Sequence, residues 1–446
     1  MEALPSGTRP AKTAEYTFLF ILLSSIAFLG LAIARYETAT LLTIYGVAFF
    51  TYVWIVRLTN ISWKVLFVSG FLIRIALMWS LPNLSDDFYR FIWDGTLLKH
   101  GINPFGVLPD EAIKLDVPGI DQAFYTQLNS PNYFTIYPPL NQAIFWLSAQ
   151  IGGPGNWLLS VNVMRLFLIG SDIGTFFLLK SLLHQHEKSI KNAFWFFLNP
   201  LVILEFTGNL HFEGLVIFFL ILGVHQYDRS KTLGQGFGFA GAISAKLVPL
   251  IFLPAVLMKQ WPKKGILVCF LAVFIALITF IPMIGSALVS GMSSSIGLYF
   301  QSFEFNASIY FIIREIGFMI VGWNMIQQIG PWLGITTFIL IMTWVFVGSR
   351  FKKDLPMILM GSLVIYLLLS TTVHPWYVLP LIPLGILSGF YFPVVWSLMI
   401  FLTYIGYATE DFHLPMHWII LEYLTVISVM SWEFVQHSKK AKNENQ

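Results

Sequence analysis

The residues best suited to chemistry fall in one stretch, Ser85-Asp86-Asp87-Phe88-Tyr89-Arg90-Phe91-Ile92-Trp93-Asp94-Gly95. Two adjacent carboxylates that directly follow an apolar run raise each other's pKa and are partly desolvated, which suits one of them to act as a general base. Asp87, Arg90 and Asp94 are three and four residues apart, so on a helix they share one face and pair their charges. Asp86 then points elsewhere, and the spacing favours it as the base. Its alternative role is to cap that helix.

Further polar residues stand out along the chain. Gly101-Ile102-Asn103-Pro104-Phe105 and Ile136-Tyr137-Pro138-Pro139-Leu140 follow in the same segment. In Gly208-Asn209-Leu210-His211-Phe212-Glu213-Gly214, His211 and Glu213 sit at a helix start, where the dipole favours a carboxylate and a histidine reaches a phosphate. They supply two metal ligands, too few for a metal site of their own. Lys246 is a cation inside an apolar hairpin, costly to keep there and by default functional, with snorkelling as the alternative. Arg314 lies beside Glu315 and binds either that neighbour or a lipid phosphate. His374-Pro375-Trp376-Tyr377 closes an apolar run; its aromatic pair belongs either to a membrane-interface belt or, with His374, to a site.

Three patterns carry no such chemistry. Gly236 to Gly241 matches GxGxxG, but no strand precedes it and no acid follows about 20 residues on, so close helix packing explains it better. His184-Gln185-His186-Glu187 reads as a solvated loop. Arg165 and Asp172, seven apart on one helical face, are expected to stabilise each other. The single cysteine, Cys269, excludes disulfide frameworks and CxxC sites.

The elements that must position these residues are membrane helices. Of the 446 residues, 57% are hydrophobic, 17% aromatic and 11% charged, against about 25% charged in a soluble chain. A net charge of +3 gives no reason to expect a nucleic-acid partner. Apolar runs centre on 17–34, 39–56, 65–81, 156–182, 193–209, 212–228, 265–283, 332–350, 355–373, 376–390, 393–408 and 416–434, each near the roughly 20 residues that cross a bilayer. Arg9, Lys12, Arg57, Lys64, Lys180, Lys188, Lys191, Arg229, Lys231, Lys259, Lys263, Lys264, Arg350, Lys352, Lys353, Lys439, Lys440 and Lys442 then fall on the cytoplasmic side. Residues 231–259 must leave and return, as a hairpin broken near Pro249. Residues 82–155 and 284–331 form two large outer loops, in which 138–151 and 307–323 lie as interfacial helices. Ala32-Ile33-Ala34 has the form of a leader-peptidase site, but the run before it is long for a leader and is expected to stay as an anchor. The chain reads as one membrane-embedded unit.

SDDFYRFIWDG, GINPF, NSPNYFTIYPPL, GNLHFEG and HPWY occur in the order and membrane setting of the integral-membrane GT-C glycosyltransferases, and the sequence resembles especially their bacterial mannosyltransferase-like branch. It is more distantly similar to the mannosyltransferase of GPI-anchor precursors. The resemblance spans residues 65–435 and implies an all-α bundle of about 12 to 14 membrane helices with interfacial helices in the outer loops. It implies transfer of a hexose, mannose above all, from a polyprenyl phosphate to the hydroxyl of a glycan or glycolipid, with inversion, at the outer face of a bacterial plasma membrane. The base is then an aspartate of the first outer loop, and the family pattern does not choose between Asp86 and Asp87. His211, Lys246, Arg314 and His374 are candidates to hold the donor phosphate. Tyr89, Arg90, Trp93, Asp94, Asn103, Tyr137, Glu213, Trp376 and Tyr377 are candidates to line the sugar and acceptor pocket. Relatives carry Asp where this chain has Glu213. A lipid phosphate leaves without a protein acid, and no cofactor or metal is expected, since His211 and Glu213 offer too few ligands and protein cations can offset the phosphate charge. A secondary transporter or lipid-linked sugar flippase is the alternative; against it, the sequence lacks paired halves and its rare polar residues gather at one face.

Overall fold

The computed structural model describes residues 12–285, 288, 289, 291, 297, 303–409 and 411–443. Arg9 and much of 286–302 in the second outer loop lie outside them. The described residues are helical, with one isolated parallel bridge, Phe305 to Thr372, and no strand.

Among the described residues, six helices are long and apolar enough to cross a membrane. Of these, α1 (Lys12–Leu31) and α2 (Thr38–Leu58) begin the chain. The shorter α3 (Trp63–Ala76) leads to the first large loop, which holds α4 (Asp87–Lys99) and α5 (Pro139–Gly152). A long α6 (Trp157–Gln185) follows. Residues Pro200–Gly208 meet α7 (Glu213–Asp228) at 116°, so the chain reverses at 209–212. Then come α8 (Thr232–Ala245), α9 (Lys263–Phe280), α10 (Ile309–Val321), α11 (Ile326–Arg350), α12 (Leu355–Leu369) and, last, α13 (Met416–Asn443). The expected runs at 376–390 and 393–408 form the shorter apolar helices Pro375–Ser388 and Phe392–Ala408, partly 3-10 in form. Pro375, Pro380, Pro383 and Pro393 stand in these segments, and proline removes helix hydrogen bonds. The hairpin after residue 231 also forms; its break begins at Lys246, where the backbone is extended, and precedes Pro249.

Helix packing uses the small residues as the sequence suggests. A Cβ on Gly238 of α8 would lie 2.5 Å from the Gly223 nitrogen of α7, so the two backbones meet directly. Likewise a Cβ on Gly95 would lie 2.1 Å from the Phe145 carbonyl, which locks α4 onto α5. Phe91 stacks on Phe145 at 4.7 Å there, and both rings meet Phe212 edge-on. The first loop thus has its own apolar core, seated on the turn at 209–212.

The expected Arg165–Asp172 pair does not form. Asp172 instead binds Arg74 of α3 at 2.8 Å, both side chains fully buried. Arg165 donates to the carbonyls of Thr207 (2.8 Å), Ser80 (2.5 Å) and Gly208 (3.2 Å). Seven residues on a helix align two side chains, but a neighbouring helix offered the carboxylate a closer cation. Arg165 ties the end of the Pro200–Gly208 segment to the chain just before the first loop.

Two groups of loop contacts mark opposite ends of the helices. At one, Lys191 donates to the Thr59 carbonyl, His186 meets Asp228 at 2.6 Å, and Lys259 donates to the Lys353 carbonyl at 2.8 Å. At the other, Arg35, Asp86, Asp87, His211, Lys246 and His374 converge.

Candidate functional site

Asp87 opens α4, and Asp86 occupies its N-cap position without making a side-chain cap bond; the Asp87 N–H is satisfied by Ser85 Oγ at 3.3 Å. Of the expected grouping of Asp87, Arg90 and Asp94, the Arg90–Asp94 pair forms and Asp87 is corrected to a place outside it. Arg90 Nε donates to Asp94 at 2.8 Å, and its Nη1 donates to the Ser130 and Tyr133 carbonyls at 3.1 and 2.9 Å. Asp94 also accepts from Gln142 at 3.0 Å. This buried pair fastens the loop to α4 and α5 instead of facing a pocket. Asp86 is not free either, because its carboxylate binds Arg35 at 2.6 Å.

Asp87 turns toward the turn at 209–212. Its Oδ1 accepts from Asn129 Nδ2 at 2.7 Å, and its Oδ2 lies 3.7 Å from His211 Nε2. Burial works against its charge, but the His211 imidazole and the Asn129 amide outweigh it and hold the carboxyl below its usual range, the reverse of the upward shift expected from the adjacent acid. The other ring nitrogen, Nδ1, faces Glu205 Oε2 at 2.8 Å. Burial likewise opposes a charge on His211, yet the flanking Asp87 and Glu205 carboxylates raise the imidazole to about 9. Leu210 makes this reversal possible with a left-handed backbone, φ 66°, a strained conformation for leucine. Trp376 stacks on the His211 ring at 3.4 Å, and His374 stacks in turn on Trp376 at 4.6 Å. Burial pushes His374 down to about 3 despite Asp87, so it is a neutral ring, and its Nδ1 is buried without a hydrogen bond.

Lys246 stands beside this stack. Its ammonium binds Glu213, the first residue of α7, and lies 3.8 Å from the Tyr377 ring centroid. Glu213, Lys246, Tyr366 and Tyr377 line a small cavity. Tyr366 also lines an apolar cavity of about 360 Å³ among Leu250, Pro254, Leu333, Gly334 and Thr337. Tyr137, half-buried, packs edge-on to Phe91 and Phe145, and the neighbouring Asp87 and Glu213 carboxylates add to the effect of burial in raising its phenol.

The structure therefore brings together Asp87, Tyr137, His211, Glu213, Lys246, His374, Trp376 and Tyr377. The remaining expected site residues are placed elsewhere. Trp93 is fully buried and packs edge-on to Phe124 at 5.2 Å, and Tyr89 meets Trp157 at 5.2 Å; both serve the core of the first loop. Asn103 donates to the Met283 carbonyl at 3.1 Å and accepts from the Phe105 N–H, which makes it a turn residue. Arg314 is neutralised by Glu304 and Glu315, each at 2.8 Å. Glu205 and Arg35 are the residues that sequence reasoning missed. Glu205 sits within an apolar stretch, where an isolated acid was itself the available signal. Arg35 is hidden in a short turn between two spans.

Among the described residues no group of three His, Cys, Asp or Glu side chains could hold a metal ion. His211 is taken by Glu205 and Asp87, and Glu213 by Lys246.

No curated protein matches the chain, and no solved structure does. A family model described as alpha-(1->6)-mannopyranosyltransferase, N-terminal domain, matches residues 21–261, a stretch that holds Asp87, Glu205, His211 and Lys246. That match covers more than half of the chain, and the protein belongs to the alpha-(1->6)-mannopyranosyltransferase (MptA_B) family: it is a membrane mannosyltransferase.

Proposed function

We propose that the protein transfers mannose from a polyprenyl-phosphate donor to a hydroxyl of a glycan or glycolipid, forming an alpha-(1->6) linkage with inversion at C1. The observation that carries this reading is that Tyr366 lines two neighbouring cavities. Lys246, a cation, lines the smaller one, and the larger is the apolar cavity of about 360 Å³. That combination suits a phosphate joined to a long hydrocarbon chain.

In this mechanism Asp87 is the base. The acceptor oxygen attacks C1 while its proton passes to an Asp87 oxygen, and the bond from C1 to the phosphate oxygen breaks with its electron pair left on the phosphate. Attack from the opposite face converts a β-linked donor into an α-linked product. Lys246 and protonated His211 offset the phosphate charge as it grows. The stacked Trp376 and His374 rings offer a flat wall to the sugar, and the free His374 Nδ1 accepts from a sugar hydroxyl. Asp86, paired with Arg35, shapes the rim. No metal takes part.

The lysine and arginine pattern supports an extracytoplasmic site in a bacterial plasma membrane. The turns at 209–212 and 374–376, which this pattern assigns to the outer side, bring His211 and His374 beside Asp87 of the first outer loop. The short helices then cross in series with the long ones, to give about 12 to 14 crossings, and α5 and α10 lie at the outer interface.

The test is reconstitution into liposomes with labelled polyprenyl-phosphate mannose and a mannoside acceptor. Consumption of donor with an α-linked product supports the reading. Donor that crosses the bilayer unchanged sinks it in favour of a flippase.

A further inference from the structure

Glu205 is a fully buried carboxylate in the π-helical turn Ile203–Gly208. Its Oε1 accepts from the Tyr404 hydroxyl at 2.9 Å, and its Oε2 accepts from Asn209 Nδ2 at 3.1 Å and faces His211 Nδ1 at 2.8 Å. The backbone closes the same unit, since the His211 N–H donates to the Glu205 carbonyl at 2.9 Å. Single π-turns commonly occur at functional sites. Among the described residues no lysine or arginine pairs with Glu205. A buried carboxylate charge needs a compensating partner, and the imidazole is the one available.

We propose that Glu205 is the positioning residue of the transfer centre: it fixes the His211 ring by its Nδ1 hydrogen, keeps the ring a cation, and so directs a second N–H, at Nε2, toward Asp87 and the departing phosphate. The inference rests on the functional reading above and adds a division of labour to it. Asp87 takes the acceptor proton, and His211 does not relay it, because a doubly protonated ring has no lone pair to receive one. Trp376, stacked on the ring at 3.4 Å, leaves the imidazole no room to swing.

The groups that face His211 are consistent with this state. Asp87 approaches from α4 and Glu205 from the π-helical turn, each next to one ring nitrogen. His374, beyond Trp376, is neutral, and Lys246 is engaged by Glu213. Ser85 Oγ lies 3.5 Å from Nε2 and accepts as readily as it donates. Two acids against one ring favour hydrogens on both nitrogens.

Two measurements test the proposal. The first uses the wild-type protein without substrate: nitrogen-15 NMR of labelled histidine should show the His211 ring doubly protonated at pH 8, and a neutral ring there overturns the proposal. The second compares pH profiles of single-turnover transfer in the wild type and in Glu205→Gln. Loss of the acid should move the alkaline limb down by roughly one to two pH units, toward the ordinary histidine value near 6.5. A limb that stays in place while turnover falls overturns the proposal and leaves Glu205 a structural residue. Should Glu205→Gln fail to fold, the wild-type ring titration decides alone. Absence of transfer by the wild-type protein would sink the functional reading instead, and the substrate-free NMR result distinguishes that failure.

Discussion

Asp87 Oδ2 and His211 Nε2 stand 3.7 Å apart, across the seam between the first helix of the outer loop and the reversal at 209–212. A one-residue step along the chain separates Asp87 from Asp86, yet the two carboxylates have unrelated surroundings. Asp86 is tied to Arg35 at a partly exposed rim, and Asp87 looks inward. Replacing Asp87 with Asn keeps its size and its bond to Asn129 but removes the proton acceptor. Single-turnover transfer should fall by about 10² to 10⁴, with donor binding preserved. Asp86→Asn should cost far less, about tenfold or below on that scale. The reverse order would return the base to Asp86.

The same seam sets a pH dependence of stability. His211 is raised from 6.5 to about 9, so its contribution is fully present below pH 6.5 and is lost as pH rises through 9. Asp87 is lowered from 3.8, so its contribution is present above that value and is lost as pH falls through its lower folded value. The thermal stability gap between wild type and His211→Gln should therefore shrink between pH 6.5 and 9, by on the order of 1 to 3 kcal/mol. A gap that stays constant over this window would place the imidazole in its neutral form.

Part of this was legible in the sequence, and the boundary has physical causes. The long apolar helices, the first-loop helix from Asp87 and the break near Pro249 follow from apolar length, helical spacing and proline chemistry, which are local. The union of His211, Glu213, Lys246 and His374 was also within reach, because residues assigned by charge to one membrane face must lie in one layer. Pairing between helices was not. Arg165 and Asp172 satisfy the helical repeat and still choose other partners, since Arg74 comes from α3 and the Thr207 carbonyl from a neighbouring turn. Asp87 and Arg90 fail for the same reason: Gln142 and the Ser130 and Tyr133 carbonyls, all distant in sequence, hold the Arg90–Asp94 pair in place.

Lys246 is the cation assigned to the donor phosphate. Lys246→Met keeps most of the stem against Tyr377 and deletes the charge, leaving Glu213 a carboxylate without its partner. Apparent donor affinity should fall roughly tenfold or more, in keeping with the worth of a charge-assisted contact. Lys246→Met,Glu213→Gln should fold better than the single variant and bind donor no better. Unchanged donor affinity in the single variant would remove Lys246 from the phosphate site.

Turnover should persist in excess chelator. Glu205 and Asp87 flank His211, and Lys246 occupies Glu213, so recruiting these ligands for a divalent ion would mean breaking one buried and one part-buried pair. The measurement is initial rate with and without EDTA, then with added magnesium or manganese. Activity lost to the chelator and regained with the metal would overturn this and reassign His211 and Glu213 as ligands.

The apolar cavity makes the last claim testable through chain length. Gly334 lines it, and nothing stands within 4 Å of where a Cβ would go, so Gly334→Trp introduces a bulky ring at the cavity wall and also removes a helix-weakening glycine. A buried CH₂ contributes about 0.8 kcal/mol, so excluding even two or three methylenes should raise the KM for a long-chain donor by about tenfold or more. A donor analogue whose lipid is too short to reach past Tyr366 should be used equally well by both proteins. Equal loss for short and long donors would mean that Gly334→Trp disturbs the Lys246 end itself, and equal retention would place the hydrocarbon chain in another groove of the bundle.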